Sequence, residues 1–174
     1  EAADIILTDD NFATIVKSIK EGRTVYHNIK KLVRYLITNN IGKVVTVLVT
    51  PALGYAIPLT AIQILWSNVI MESLPSVALS TDPSDDRIMH RKPSTIAENI
   101  LSKSDRIIIF LDGIIFGAII SLGFILLYHM YGGDNTLART GAFVITLLSP
   151  QLYAFVIRDG SLRSLPVEMH SSAS

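Results

Sequence analysis

Residues 36–48 read LITNNIGKVVTVL. Two asparagines, a glycine and Lys43 interrupt a segment that is otherwise apolar, and no charge follows until Glu72 in the stretch 65–75, LWSNVIMESLP. A charged side chain at the centre of a bilayer costs about 2.5 kcal/mol or more, so such residues turn toward a bundle interior or a polar cavity and mark ion paths. The two stretches therefore predict a membrane bundle in which Lys43 faces Glu72.

The rest of the chain agrees with a membrane reading. Of 174 residues, 49% are hydrophobic and 17% charged, mean hydropathy is +0.44, and the apolar residues fall in long blocks. About 20 mostly apolar residues cross a ~30 Å hydrocarbon core as a helix. Four candidate spans meet that length, at about 32–53, 59–79, 107–131 and 140–157. Gly54, Tyr55 and Pro58 mark a tight turn between the first two. The formal net charge is zero, which offers no basic footprint for nucleic acid. Cysteine is absent, excluding disulfides and thiol chemistry, and His27, His90, His129 and His170 show no metal-ligand spacing.

Charge distribution predicts orientation. Arg87, Arg91, Lys92, Lys103 and Arg106 lie in the connection between the second and third spans. Lys30, Lys31 and Arg34 precede the first span, and Arg158 and Arg163 follow the fourth. Basic residues stay in the cytoplasm, so both ends and the central connection are expected there. Ahead of the first span, Phe12, Ile15, Val16 and Ile19, then Val25, Ile29, Leu32 and Val33, recur at the helical period. A polar helix over 12–31 therefore leads into the membrane as a stalk. The opening EAADIILTDD lacks a signal-peptide pattern and reads as the edge of an α/β domain, so the chain is expected to be an internal piece of something longer.

Three stretches, EAADIILTDDNFATIVKSIKEGRTVYHNIKKLVRYLITNNIG, LWSNVIMESLP and DRIMHRKP, resemble in order and spacing the P-type cation-transporting ATPases of the calcium and sodium pump branch. The resemblance covers about residues 1–160. It implies an all-α membrane protein: four transmembrane helices in a bundle, a helical cytoplasmic stalk, and at residues 1–11 a short remnant of an α/β phosphorylation domain. Residues 158–174 would form a cytoplasmic tail, expected to be poorly ordered. The four spans would be the fifth to eighth of the family's ten. The family's DKTGT, TGES and TGDGVND motifs do not occur, so this stretch alone is expected not to hydrolyse ATP. ATP, magnesium, the nucleotide, actuator and phosphorylation domains and the first four spans would belong to the complete pump.

The resemblance also implies a metal site. Asn40, Asn68 and Glu72 match the family's cation ligands, and Asn68 and Glu72, four residues apart, share one helix face. Amide and carboxylate oxygens suit a hard cation such as calcium. Lys43 departs from the pattern, since two-site calcium pumps carry a glutamate there. Met71 stands for a threonine, and Pro150 stands where the eighth span would offer a carboxylate or amide. One of two calcium sites is therefore expected to be lost. An ammonium only donates, so Lys43 would act as internal counter-ion to Glu72. It lies nine residues beyond Arg34, about 13 Å deeper, which disfavours snorkelling to the interface.

Alternatives remain open at the level of sequence: a proton or other cation pump of the same family, or a truncated four-helix fragment without transport. Asp112 reads as an interfacial group near Asp105 and Arg106, and Gly113, Gly117 and Ser121 as a small-residue packing face. Pro75 frees the Met71 carbonyl, as an ion ligand or a plain kink. The topology has a direct check. A cysteine at Ser94 should resist an impermeant thiol reagent in intact cells and react after permeabilisation; labelling of intact cells would overturn the four-span map.

Overall fold

The computed structural model describes residues 12–83, 89 and 100–159. The expected domain remnant at 1–11, most of the basic connection and the tail from 160 lie outside the described residues. Helix α1 (Phe12–Ala52) is followed by α2 (Ala61–Trp66), a π-helical turn (Ser67–Met71), α3 (Ser73–Ser80), α4 (Lys103–Met130) and α5 (Asn135–Asp159). Among the described residues there is no strand. Four helical runs are long and apolar enough to span a membrane: α1, the α2–π–α3 run (Ala61–Ser80), α4 and α5. The expected four-helix membrane fold is therefore the observed one.

Helix α1 passes from its polar half into its apolar half without interruption, Gly22 included. Its buried face is polar: Asn28, Tyr35, Thr38, Asn39, Lys43, Thr46 and Thr50, with Gly42. They recur at three- and four-residue intervals, which is one side of a helix. Apolar Ile37, Val44, Leu48 and Val49 point outward. The same holds elsewhere, with Ile62, Leu74, Ile107, Leu122, Leu152 and Phe155 among the most exposed side chains. This distribution suits hydrocarbon as the surrounding solvent, because lipid draws apolar side chains outward while helices associate through small and polar groups.

Helix α4 supplies the small groups. A Cβ on Gly113 would stand 2.4 Å from Ile41 Cγ2, and one on Gly117 would stand 2.5 Å from Val45 Cγ1 and 2.9 Å from the Gly42 carbonyl. Both glycines thus let α4 approach the α1 backbone. Polar sutures close the same seam: Thr46 Oγ1 donates to the carbonyls of Gly42 (2.8 Å) and Gly117 (3.3 Å), and Thr50 Oγ1 donates to Ser121 Oγ (3.1 Å). The packing role expected of Gly113, Gly117 and Ser121 is the role they have.

Helix starts are locally encoded. Thr60 with Gln63 and Ser102 with Asp105 form capping boxes ahead of α2 and α4, satisfying amide donors that a helix start leaves open. Asp134 Oδ1 accepts from the amides of Thr136 (2.7 Å) and Leu137 (3.3 Å) at the start of α5. The α4–α5 turn uses Gly132 and Gly133 at φ +64° and +91°, a region in which only glycine sits without strain.

The glycine seam predicts opposite outcomes for two similar substitutions. Gly117→Ala should destabilise the bundle by about 1–3 kcal/mol through overpacking, whereas Gly22→Ala, with nothing within 4 Å of the added methyl, should be neutral or stabilising by up to ~1 kcal/mol. Thermal unfolding in detergent reads both.

Candidate functional site

The second span is not one regular helix. At residues 67–71 the chain makes a π turn, closed by the Glu72 amide donating to the Ser67 carbonyl at 3.1 Å. Pro75, three residues further, has no N–H to give the Met71 carbonyl. Helical bonding resumes with the Ser76 amide on the Glu72 carbonyl at 3.1 Å. Glu72 is the hinge residue between the π turn and α3. Single π turns of this kind recur at functional sites because they re-aim side chains inside a helix.

Glu72 is aimed at α1. The Lys43 ammonium donates to Glu72 Oε1 and to Asn68 Oδ1, and the Lys43 and Glu72 side chains are only 4% and 3% exposed. The pairing expected from the sequence is therefore present, and Asn68 shares it. One nitrogen engages an oxygen from each of two of the three residues that the resemblance marks as ligands. Removing either charge alone leaves the other buried and uncompensated, whereas the pair is mutually neutral.

Asn40 is not brought to this cluster. It is exposed, and its Nδ2 donates to the Leu36 carbonyl of its own helix at 2.9 Å. Asn39, one residue earlier, is the buried asparagine of that turn, and its Nδ2 has no hydrogen-bond partner. Successive residues are about 100° apart on a helix, and here Thr38 and Asn39 take the inward side of the turn, which leaves Asn40 outside. The pattern NN does not say which one faces inward.

Asp112 departs from its expectation as an interfacial group beside Asp105 and Arg106. It is buried in the bundle, accepting from Tyr153 Oη at 2.9 Å and paired with Arg34 at 3.5 Å. Arg34 Nε also donates to Tyr153 Oη at 3.3 Å. Tyr153 stacks on Tyr35 and meets Phe116 edge-on, with ring centroids 6.4 and 5.0 Å apart. Sequence spacing placed Asp112 by depth alone, and its partners come from α1 and α5, 78 and 41 residues away.

Two further elements of the site were missed. Gln151 of α5 donates from Nε2 to the Met71 carbonyl at 2.8 Å, so the carbonyl released by Pro75 is held by a side chain. Its sequence signal is a lone amide in an apolar helix, immediately after Pro150. Asp82, just past α3, receives Lys31 Nζ at 2.7 Å and Arg158 Nε at 3.1 Å, and its carbonyl accepts Asn28 Nδ2 at 2.8 Å. It thus ties α1 and α5 to the end of the second span. Lys30 of α1 pairs with Asp105 of α4 at 2.6 Å. Among the described residues, no three His, Cys, Asp or Glu side chains group as a ready-made metal cage.

A four-helix bundle with an apolar exterior, a polar inner face and an ion-paired carboxylate at a broken helix belongs to the class of integral membrane helix bundles. A family profile described as "Cation transporting ATPase, C-terminus" matches residues 56–173. Calcium-transporting ATPase 1 of Bacillus cereus is 38% identical over 173 residues, covering 91% of this chain and 19% of that protein. The calcium-transporting ATPase of Bacillus subtilis is 37% identical over 159 residues, covering 91% of this chain and 18% of the relative. Calcium-transporting ATPase 1 of Lactococcus lactis is 33% identical over 166 residues, with 92% and 18% covered. The chain belongs to the cation-transporting ATPase family, as an integral membrane portion of it, and spans less than a fifth of the length of these relatives.

The Lys43–Glu72 contact is testable by a double-mutant cycle on thermal stability in detergent. Lys43→Met and Glu72→Gln should each destabilise by about 3–5 kcal/mol. The double variant should cost less than their sum, with a coupling of about 0.5–3 kcal/mol. Simple additivity would contradict a direct contact.

Proposed function

We propose that this chain carries the cation-binding part of the transport domain of an ATP-driven calcium pump, with one calcium site per cycle. The observation that carries the reading is the Lys43 ammonium, buried at a broken helix and bonded to both Asn68 and Glu72. Asn68 and Glu72 supply ligand oxygens, and Lys43 is the internal counter-ion. Asn40 lies off the cluster in this arrangement.

The chemistry follows from donor and acceptor counting. Calcium takes six to eight oxygens at 2.3–2.6 Å, so further carbonyls, waters or helices must complete the shell. Lys43 offers only donors. In the unloaded site it occupies the place of a cation and satisfies the oxygens of Asn68 and Glu72. Loading requires the ammonium to withdraw from at least one oxygen, and once displaced it repels a second divalent ion. That repulsion supports the single-ion stoichiometry. The names of the relatives, all calcium-transporting, support calcium over other cations.

ATP and magnesium act on nucleotide, actuator and phosphorylation domains outside this chain, and four further spans pack beside it in the lipid bilayer. Residues 12–31 act as the stalk between phosphorylation domain and membrane. Both ends lie in the cytoplasm, a reading supported by the pairing of Lys30, Lys31, Arg34 and Arg158 with Asp105, Asp82 and Asp112, Lys31 and Arg158 sharing Asp82.

The test uses the full-length protein in vesicles. Calcium uptake per ATP hydrolysed should be one, and Glu72→Gln should abolish calcium-dependent phosphorylation and uptake. Calcium-independent turnover that instead follows the proton gradient would favour a proton pump, and a full-length protein without ATPase activity would favour a fragment without transport.

A further inference from the structure

The Met71 carbonyl sits directly before Glu72, on the same backbone that aims the carboxylate at Lys43. In an unbroken helix it would accept from the amide four residues on, but that residue is Pro75. A carbonyl left without a partner at membrane depth is strongly unfavourable, and two outcomes are available to it: a ligand role toward a cation, or a donor from a neighbouring helix. Here the donor is Gln151 Nε2, at 2.8 Å, from a helix 80 residues away in the chain.

Gln151 fits this task by chemistry and by place. Its amide donates without carrying charge, so it satisfies the carbonyl without adding a second cation beside Lys43. It follows Pro150, which lies inside α5 and itself leaves a carbonyl open one turn back. The two interrupted helices thus meet at their breaks, with an amide of one closing the opening of the other.

We infer that Gln151 is a positioning residue for the cation site: by holding the Met71 carbonyl it fixes the hinge at Glu72, and it keeps that carbonyl out of the ligand set. Gln151 bonds the backbone carbonyl of Met71 and acts through the backbone. The inference rests on Lys43, Asn68 and Glu72 being the transport site, and it deepens that reading by naming what holds their geometry from α5.

The decisive experiment exploits the cause of the open carbonyl. Pro75→Ala restores an amide donor at position 75, which makes the Gln151 donor redundant. In the full-length protein, Gln151→Leu should lower Tm in detergent. It should raise the calcium concentration for half-maximal phosphorylation about tenfold, with turnover at saturating calcium changed less than about twofold. In the Pro75→Ala background the same Gln151→Leu change should move neither quantity appreciably. A side chain that merely fills space would cost the same in both backgrounds, and equal costs overturn the inference. So does an unmoved half-saturation in Gln151→Leu when Glu72→Gln abolishes transport. If Glu72→Gln leaves calcium dependence intact, the reading of the transport site fails instead, and the Tm comparison still reports on whether Gln151 and Pro75 act on one carbonyl.

Discussion

Everything in this bundle is arranged around the need to neutralise one lysine and one glutamate inside hydrocarbon. Neither charge is tolerable alone at that depth, and together they attract strongly because little solvent screens them. Their contact fixes the register of α1 against the second span. It also fixes the rotation of each helix, since Lys43 and Glu72 must both face inward. The π turn is the backbone adjustment that lets Glu72 do so while Ile70 and Leu74 stay on the outside.

The remainder of α1 follows the same logic in weaker form. Its inner face carries threonines, asparagines and a tyrosine in place of leucines, and α4 meets it with glycines and a serine. In water such a face would stay solvated; in lipid it is the apolar face that is already well solvated, so polar groups gain by finding each other. Close approach through Gly113 and Gly117 brings backbone carbonyls within reach of Thr46, and dispersion contacts accumulate along the seam.

A second set of ion pairs lies at the basic end. Lys30, Lys31 and Arg34, within about one turn of α1, pair with Asp105 at the start of α4, Asp82 after α3 and Asp112 inside α4. Arg158 of α5 joins at Asp82. One turn of α1 is therefore tied to each of the other spans, and α1 continues from there both to the polar segment and to Lys43 without a break. Displacement of α1 along its axis has to act on these pairs and on the Lys43 site together.

How much of this was legible depended on whether a residue's partner could be deduced from chemistry alone. Lys43 and Glu72 were legible because two lone charges in uncharged runs have few ways to exist in lipid. The four spans were legible from length and hydropathy, although α4 and α5 start at Lys103 and Asn135, four and five residues ahead of the expected 107 and 140. Asn39 and Asn40 were not distinguishable, because rotation of α1 by one residue exchanges them and only packing against its neighbours sets that rotation. Asp112 was placed by depth and not by partner, and neither Asp82 nor Gln151, a polar residue in an apolar stretch, carried anything that named its partner. The sequence by itself thus determined which segments cross the membrane and which charges had to pair. Tertiary structure alone decided which polar side chain on each turn faces inward and which distant helix answers it, because those contacts depend on helix rotation and crossing, quantities that no local stretch of residues encodes.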